Sequence, residues 1–154
     1  MRQFNPDHDL DAVKQINKTC LPENYPKFFF VEIWKNFPEG FNIAETENSG
    51  KIVGYCMSRI EKGFSNFGFG ITKKGHIISI AVLKGHRRRG IAYQLMESIT
   101  DALRMKNIQE IFLEVRESNQ SAINLYQKLG YQQIKISKRY YNDGESALIM
   151  ARKI

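Results

Sequence analysis

Cysteine, proline and long apolar runs are scarce in this sequence. The chain has 2 Cys and 4 Pro among 154 residues. Cys20 and Cys56 have no second cysteine at a metal or redox spacing, which predicts reduced thiols, no disulfide framework and a cytoplasmic setting. The apolar run from Ile77 to Leu83 is far shorter than the ~20 residues of a membrane span. Met1 is not followed by the apolar core of a secretion signal.

Acidic residues are absent from Lys62 to Met96, although seven Lys and Arg lie there. That number equals the formal net charge of +7, so the rest of the chain is balanced. The imbalance favours a local anionic partner over general polycation behaviour. With 42% hydrophobic and 25% charged residues, the composition excludes a disordered chain. The length predicts one domain, residues 1–154.

Hydrophobic periodicity and turn residues predict an α+β fold. Asn5 and Pro6 are typical of a helix start, and Gly130 is typical of a helix end. The predicted helices are about 6–20, 27–36, 92–103 and 119–128, and the predicted strands are about 41–45, 51–60, 76–83, 108–115, 132–140 and 146–152. The glycine-rich segment 62–75 is predicted to be a loop. The order βααβββαβαββ, which also has a first strand without assigned bounds before the first helix, predicts a mixed sheet whose strands 76–83 and 108–115 run parallel through a right-handed crossover.

A basic turn, Arg87 to Ala92, lies between a strand buried on both faces and the start of a helix. Free N–H groups at a helix start, together with the helix dipole, bind anions well. Gly90 and Ala92 are small enough for a phosphate group to approach the backbone. The turn lacks the spacing of a nucleoside-triphosphate loop or a dinucleotide fingerprint. The alternative is a solvated basic turn with no ligand.

Four segments resemble the GCN5-related N-acetyltransferases, the GNAT superfamily. Arg87-x-x-Gly90-x-Ala92 reads as the Gln/Arg-x-x-Gly-x-Gly/Ala signature, and residues 118–131 resemble the late helix of that fold. The segments Leu21–Pro26 and Arg139–Glu145 resemble protein N-terminal acetyltransferases, the RimI-like and NatA-type catalytic subunits, especially archaeal ones. The resemblance implies a mostly antiparallel mixed sheet with a splayed central parallel pair and about four flanking helices.

The resemblance implies acetyl-CoA as cosubstrate. Its pyrophosphate would lie on the signature turn, and its pantetheine arm would pair with the preceding strand, where an amide at or near Ile80 would receive the thioester oxygen. Asn119 matches a residue that holds the pantetheine, and Tyr126 matches one near the thioester sulfur. The implied cofactor residues are Ile80, Ala81, Val82, Arg87, Arg88, Arg89, Gly90, Ile91, Ala92, Tyr93, Asn119 and Tyr126.

The chemistry requires a neutral amine. An α-amine has a pKa of about 7.7–8.0 and a lysine about 10.4, so an α-amine needs only mild base assistance. Glu23 and Glu114 are the candidate bases, and Tyr126 would protonate or hydrogen-bond the departing thiolate. Solvated glutamates, a surface pair of Glu114 with Arg116, and a core role for Tyr126 are the alternatives. Some relatives have a histidine at the position of Glu114.

The candidate substrate-binding residues are Tyr25, His76, Tyr140 and Tyr141, of which the three tyrosines resemble residues that hold the first peptide units of the substrate. His76 begins a buried strand and is expected to reach Glu114 through a water, hold a metal ion, or serve structure alone. His8, His76 and His86 have no metal-site spacing, so no metal site is predicted.

Two other functions are compatible with the sequence. Lys62–Phe69 partly matches an RNA-recognition octamer, which would make the chain an RNA- or ribosome-binding module. A GNAT enzyme could also act on lysine ε-amines or small amines. The tyrosines and the Leu21–Pro26 loop favour protein N-termini as the partner, with room for ribosome contact and with no specific nucleic acid or membrane partner. A monomer is the default expectation.

Overall fold

The structure is a computed structural model that describes residues 1–154. Its elements follow the predicted order βααβββαβαββ. They are β1 (Arg2–Gln3), α1 (Pro6–Cys20), α2 (Lys27–Asn36), β2 (Phe41–Glu45), β3 (Ile52–Phe64), β4 (Ile71–Val82), α3 (Ile91–Met105), β5 (Glu110–Arg116), α4 (Gln120–Lys128), β6 (Gln132–Ser137) and β7 (Ala147–Lys153). None of the four helices combines the length and the apolar character needed to cross a membrane.

The strands form one seven-stranded sheet in the order β1-β2-β3-β4-β5-β7-β6. β4 and β5 run parallel, whereas β1 with β2, β2 with β3, and β7 with β5 and β6 pair antiparallel. The parallel ladder is only two residue pairs long, Gly75 with Ile111 and His76 with Phe112. This mixed sheet with a splayed parallel pair and four helices confirms the predicted fold.

The chain divides into two compact units. The first contains Met1–Arg59 and Ile78–Lys106, and the second contains Ile60–Ile77 and Asn107–Ile154.

The core of the first unit packs α1 and α2 against the strands. Phe4 stacks on Phe41 with ring centroids 3.9 Å apart. The members of this core recur at helical spacing on α1 and α2 and at alternate positions on β2 and β3, and the other face of these two strands is largely buried as well. The buried cluster is Phe4, Val13, Ile16, Phe30, Ile33, Phe41, Ile43, Tyr55, Met57 and Ala81.

The second unit is built on the long ladder between β5 and β7. It extends from the pair of Glu110 with Lys153 to the pair of Arg116 with Ala147. Phe112, Ile149 and Ala151 form a small buried cluster, with Phe67 and Ile134 packed against it. This ladder fixes the register of β5 and therefore the position of every side chain on it.

Local signals fix the helix ends. The Asn5 side chain accepts a hydrogen bond from the Asp7 amide at 3.0 Å and caps α1, and Asn119 accepts one from the Ala122 amide at 3.2 Å and caps α4. Gly130 has φ 85°, the left-handed conformation that ends a helix. The predicted bounds of the first two helices and of β2 are confirmed.

The prediction of a loop over residues 62–75 is wrong. β3 continues to Phe64 and β4 begins at Ile71, so only residues 65–70 connect them. The Ser65 amide donates to the Gly70 carbonyl at 3.0 Å and closes this connection. Gly63 lies within β3, and the Lys74 side chain crosses it, since a Cβ on Gly63 would lie 3.3 Å from Lys74 Cε.

The strand predicted over 132–140 is too long, since β6 ends at Ser137. Arg139 has a φ of 52°, which takes the backbone out of the extended conformation. Tyr140 and Tyr141 therefore lie in a turn segment between β6 and β7.

Candidate functional site

The basic turn forms the start of α3. A short 3₁₀ turn, Lys84–His86, leads from β4 into the arginines. Gly90 is the N-cap residue with φ 78°, and no side chain caps the helix. No atom lies within 4 Å of a Cβ built on Gly90. The first N–H groups of α3 therefore lack a side-chain acceptor in an electropositive setting, and these residues fit a phosphate group.

Arg87 and Arg88 each have a distinct structural feature, Arg87 in its side chain and Arg88 in its backbone. Arg87 Nε donates to the Val82 carbonyl at 2.8 Å, so this side chain ties the turn to the end of β4. Arg88 has a φ of 63°, an uncommon conformation for a residue other than glycine. Arg87, Arg88 and Arg89 are all exposed, which leaves their charge accessible to an anion.

The end of β4 carries the three positions expected to contact a pantetheine arm. Ile80 is half-buried, whereas Ala81 and Val82 are buried. The ladder with β5 stops at His76 and does not extend to these residues. On the edge of β4 that no longer pairs with β5, backbone N–H groups can pair with an extended ligand.

Asn119 is the N-cap residue of α4 and Tyr126 lies on that helix, both in the second unit. The Asn119 side-chain oxygen serves as the helix cap, so its NH₂ group is the part of this amide that can donate to a ligand. Tyr126 is buried at 6% exposure, with its ring centroid 5.8 Å from that of Tyr131.

His76 and Glu114 meet directly. His76 Nε2 lies 2.6 Å from Glu114 Oε2, and His76 Nδ1 lies 3.1 Å from Glu61 Oε2. The expectation of a water between His76 and Glu114 is therefore wrong, because the pairing of β4 with β5 brings the two side chains into contact. Glu61 was not predicted from the sequence, since the segment that follows it was interpreted as a loop.

No group of three or more His, Cys, Asp or Glu side chains in the molecule is arranged to hold a metal ion. The two carboxylates beside His76 contact opposite nitrogens of the ring.

The Leu21–Pro26 loop is held by Asn17 of α1. The buried Asn17 side chain donates to the Glu23 carbonyl at 3.1 Å and to the Tyr55 hydroxyl at 3.0 Å, and accepts from the Tyr25 amide at 3.3 Å. The Tyr25 ring stacks on Phe29 at 4.7 Å. This places Glu23 and Tyr25 on a rigid loop, with Glu23 half-buried.

The Tyr55 hydroxyl also hydrogen-bonds Ser79 Oγ at 2.7 Å. Burial raises the pKa of the Tyr55 phenol well above its ordinary value, although the hydrogen bonds with Ser79 and Asn17 act to lower it. Asn17, Tyr55 and Ser79 were not predicted from the sequence. The available signal was a polar Asn17 on the apolar face of α1.

Tyr140 and Tyr141 pack edge to face with centroids 4.9 Å apart, and Tyr140 is 49% exposed. The Arg116 guanidinium lies 4.1 Å from the centroid of the Tyr141 ring. Arg116 also pairs with Asp143 at 2.8 Å and with Glu145 at 3.0 Å. Sequence analysis assigned no role to this anchor of the tyrosine segment.

Hydrogen bonds set the charge of the two acids in that anchor. The pKa of Asp143 is lowered by the Glu145 amide and by Arg116. The pKa of Glu145 is lowered by the Ser118 side chain and amide, with Arg116 adding to the effect. Both carboxylates are therefore ionised at neutral pH and hold Arg116.

Comparison with known proteins identifies the class. Residues 10–131 match the Acetyltransferase (GNAT) family. The N-alpha-acetyltransferase of Sulfurisphaera tokodaii is 48% identical over 146 residues, which cover 93% of this chain and 86% of the relative. The structure of Ard1 from Thermoplasma volcanium has 28% identity and a TM-score of 0.85 over 99% of this chain and 95% of that one.

Naa20 of Chaetomium thermophilum, solved with a bisubstrate analogue, has 28% identity and a TM-score of 0.87, covering 99% of this chain and 85% of that one. The sheet and the uncapped basic helix start thus define an acyltransferase fold. This chain belongs to the Acetyltransferase (GNAT) family, which confirms the resemblance found in the sequence.

Proposed function

We propose that this chain transfers the acetyl group of acetyl-CoA to the α-amine of protein N-termini. The observation that carries the chemistry is the contact of Glu114 with His76 at 2.6 Å, which supplies a carboxylate base coupled to an imidazole. The relative at 48% identity is named N-alpha-acetyltransferase, in agreement with this substrate. The RNA-module hypothesis is not retained, because its octamer lies at the end of β3 and in a connection, and not on a central strand.

Acetyl-CoA, when bound, supplies a thioester whose carbonyl carbon the neutral amine attacks. The N–H groups at the start of α3 hold its phosphates, with charge from Arg88 and Arg89. The amide at or near Ile80 stabilises the negative charge that develops on the thioester oxygen. Ala81, Val82, Ile91, Ala92, Tyr93 and Asn119 complete the proposed cofactor contacts.

Glu114 is the proposed base. Its carboxylate accepts a proton from the α-ammonium, directly or through one water, and passes it to His76. Glu23 lies on the rigid loop and has the same proposed role as an alternative. Tyr126 hydrogen-bonds the departing thiolate, and Tyr25, Tyr140 and Tyr141 hold the first residues of the peptide.

The substrate test compares two peptides of one sequence, one with a free N-terminus and one with a blocked N-terminus and an internal lysine. Labelled acetyl-CoA should acetylate only the first. Acetylation of the lysine alone would overturn the α-amine assignment in favour of an ε-amine enzyme.

The base test is Glu114→Gln. We expect kcat to fall by about 10²–10⁴ with an unchanged KM for acetyl-CoA, which is the usual contribution of a general base. Glu117→Gln is the matched control, because Glu117 is exposed and lies three residues away. If Glu23→Gln abolishes activity while Glu114→Gln does not, the base is Glu23.

Finer assignments about partners and location belong to the same proposal. Exposed Lys62 and Lys73 support ribosome contact, and the free thiols of Cys20 and Cys56 support a cytoplasmic location. We also propose that residues 1–154 act as one domain and as a monomer, since the family match at 10–131 draws on both compact units. Sedimentation of the purified chain tests the monomer.

A further inference from the structure

The His76 imidazole lies between two carboxylates of unequal exposure. Its Nε2 contacts Glu114 of β5 at 2.6 Å, and its Nδ1 contacts Glu61 of β3 at 3.1 Å. The side chains are 17% exposed at Glu114, 11% at His76 and 31% at Glu61. The three groups therefore form a line from a more buried carboxylate to a more exposed one.

The proton count of this line is constrained. A neutral imidazole has one N–H and one lone pair, whereas an ionised carboxylate can only accept. With both carboxylates ionised, a neutral ring can donate to one of them and must present a lone pair to the other. One additional proton removes this conflict, because an imidazolium donates to both. The line therefore has room for one further proton.

The ring is held in place from its face. Phe112 of β5 stacks on the imidazole with centroids 4.2 Å apart and an interplanar angle of 16°. Glu61 from β3 and Glu114 from β5 contact the imidazole directly. Lys74 Nζ lies 4.5 Å from the centroid of the same Phe112 ring.

We propose that Glu61 is a positioning residue for proton transfer, an inference that rests on the proposed role of Glu114. By accepting a hydrogen bond from Nδ1–H, Glu61 holds His76 in the tautomer whose Nε2 lone pair faces Glu114. Glu114 takes a proton from the α-ammonium. The electron pair of the broken N–H bond stays on nitrogen, so the neutral amine becomes the nucleophile. The proton moves from Glu114 to Nε2, and the resulting imidazolium lies between two carboxylates. Water then removes this proton before the next turnover.

The test measures the tautomer of the neutral His76 ring in Glu61→Gln and Glu61→Asp. The chain has 3 His, so nitrogen-15 spectra of the imidazoles resolve them, with His8 and His86 as internal references. His76→Gln assigns the signal. Glutamine removes the charged acceptor of Nδ1–H, so we expect the share of rings protonated at Nδ1 to fall. Aspartate keeps the charge and should leave the tautomer nearer that of the wild type.

Activity is measured on the same variants. In Glu61→Gln we expect kcat to fall about tenfold together with the change of tautomer, and Glu61→Asp should restore most of both. Glu47→Gln is the control, because Glu47 is exposed on the turn between β2 and β3 and should change neither property. Thermal unfolding shows that each variant is folded.

The outcomes separate the two proposals. An unchanged His76 tautomer in Glu61→Gln overturns the role of Glu61, and so does a loss of kcat that Glu61→Asp does not restore. If Glu114→Gln keeps the wild-type kcat, the assignment of the base fails and the proton path fails with it. Loss of activity in Glu114→Gln together with an unchanged His76 tautomer in Glu61→Gln overturns Glu61 alone.

Discussion

Asp9 shows how a single residue ties the first strand to the first helix. It is 2% exposed and accepts hydrogen bonds from Arg2 at 2.7 Å and 2.9 Å and from the Asn5 amide at 2.7 Å. Burial by itself would raise the pKa of Asp9, but the bonds from Arg2 and Asn5 outweigh it and the pKa is lowered. The folded state therefore favours the ionised carboxylate.

Asp9→Asn should destabilise the protein by about 1–3 kcal/mol at neutral pH, because it replaces the charged acceptor of a buried network. A lowered pKa in the folded state means that this stability is present above the ordinary carboxyl pKa and is lost as the pH falls through the folded-state pKa. The gap between variant and wild type should therefore close in acid. Urea unfolding at several pH values measures it.

Asp7→Asn is the control for that measurement. Asp7 lies in the same helical turn but is exposed, so its loss should cost less than about 1 kcal/mol. Equal effects of the two substitutions would mean that helix charge, and not the buried network, stabilises this end of the molecule.

At the scale of elements, signals local in the chain were predictable and contacts between elements were not. Asn5 caps α1 and Gly130 ends α4 because their conformational preferences act within one turn. The hairpin of β3 and β4 was missed because glycine is typical of loops. Gly63 is nevertheless part of β3. The Lys74 side chain crosses it and donates from Nζ to the Phe64 carbonyl at 2.8 Å.

The start of α3 gives a prediction about one element. Gly90→Ala places a side chain at φ 78°, which should cost about 1–2 kcal/mol, and it should weaken CoA binding by disturbing the first N–H groups. Gly85→Ala is the matched control, since Gly85 also has no atom within 4 Å of a built Cβ but has no positive φ. Calorimetric titration with CoA compares them. Equal CoA affinity in both variants would argue against the phosphate site.

For the whole molecule, binding of CoA should raise the stability of the fold. At a concentration 100 times its Kd, a ligand that binds only the folded state adds about 2.7 kcal/mol. For a chain of this size, that predicts a rise in Tm of about 5–10 °C in thermal unfolding. The rise should shrink at high salt, because the arginines of the turn are exposed and their charge is screened.

Pantetheine, which lacks the phosphates of CoA, is the control ligand for the melting experiment. It should give a much smaller rise in Tm at the same concentration. An equal rise would mean that the basic turn contributes no phosphate binding, and the excess of positive charge would then need another partner.

The sequence by itself determined the family, the order of elements and the basic turn. These depend on residues close together in the chain, where capping, periodicity and motif spacing act. Only the tertiary structure decided the contacts of His76, whose two carboxylates lie 15 and 38 residues away, and those of Asn17 with Tyr55, 38 residues away. The register of strands and the packing of α1 set these pairs, and a one-residue shift in register would turn each side chain to the opposite face.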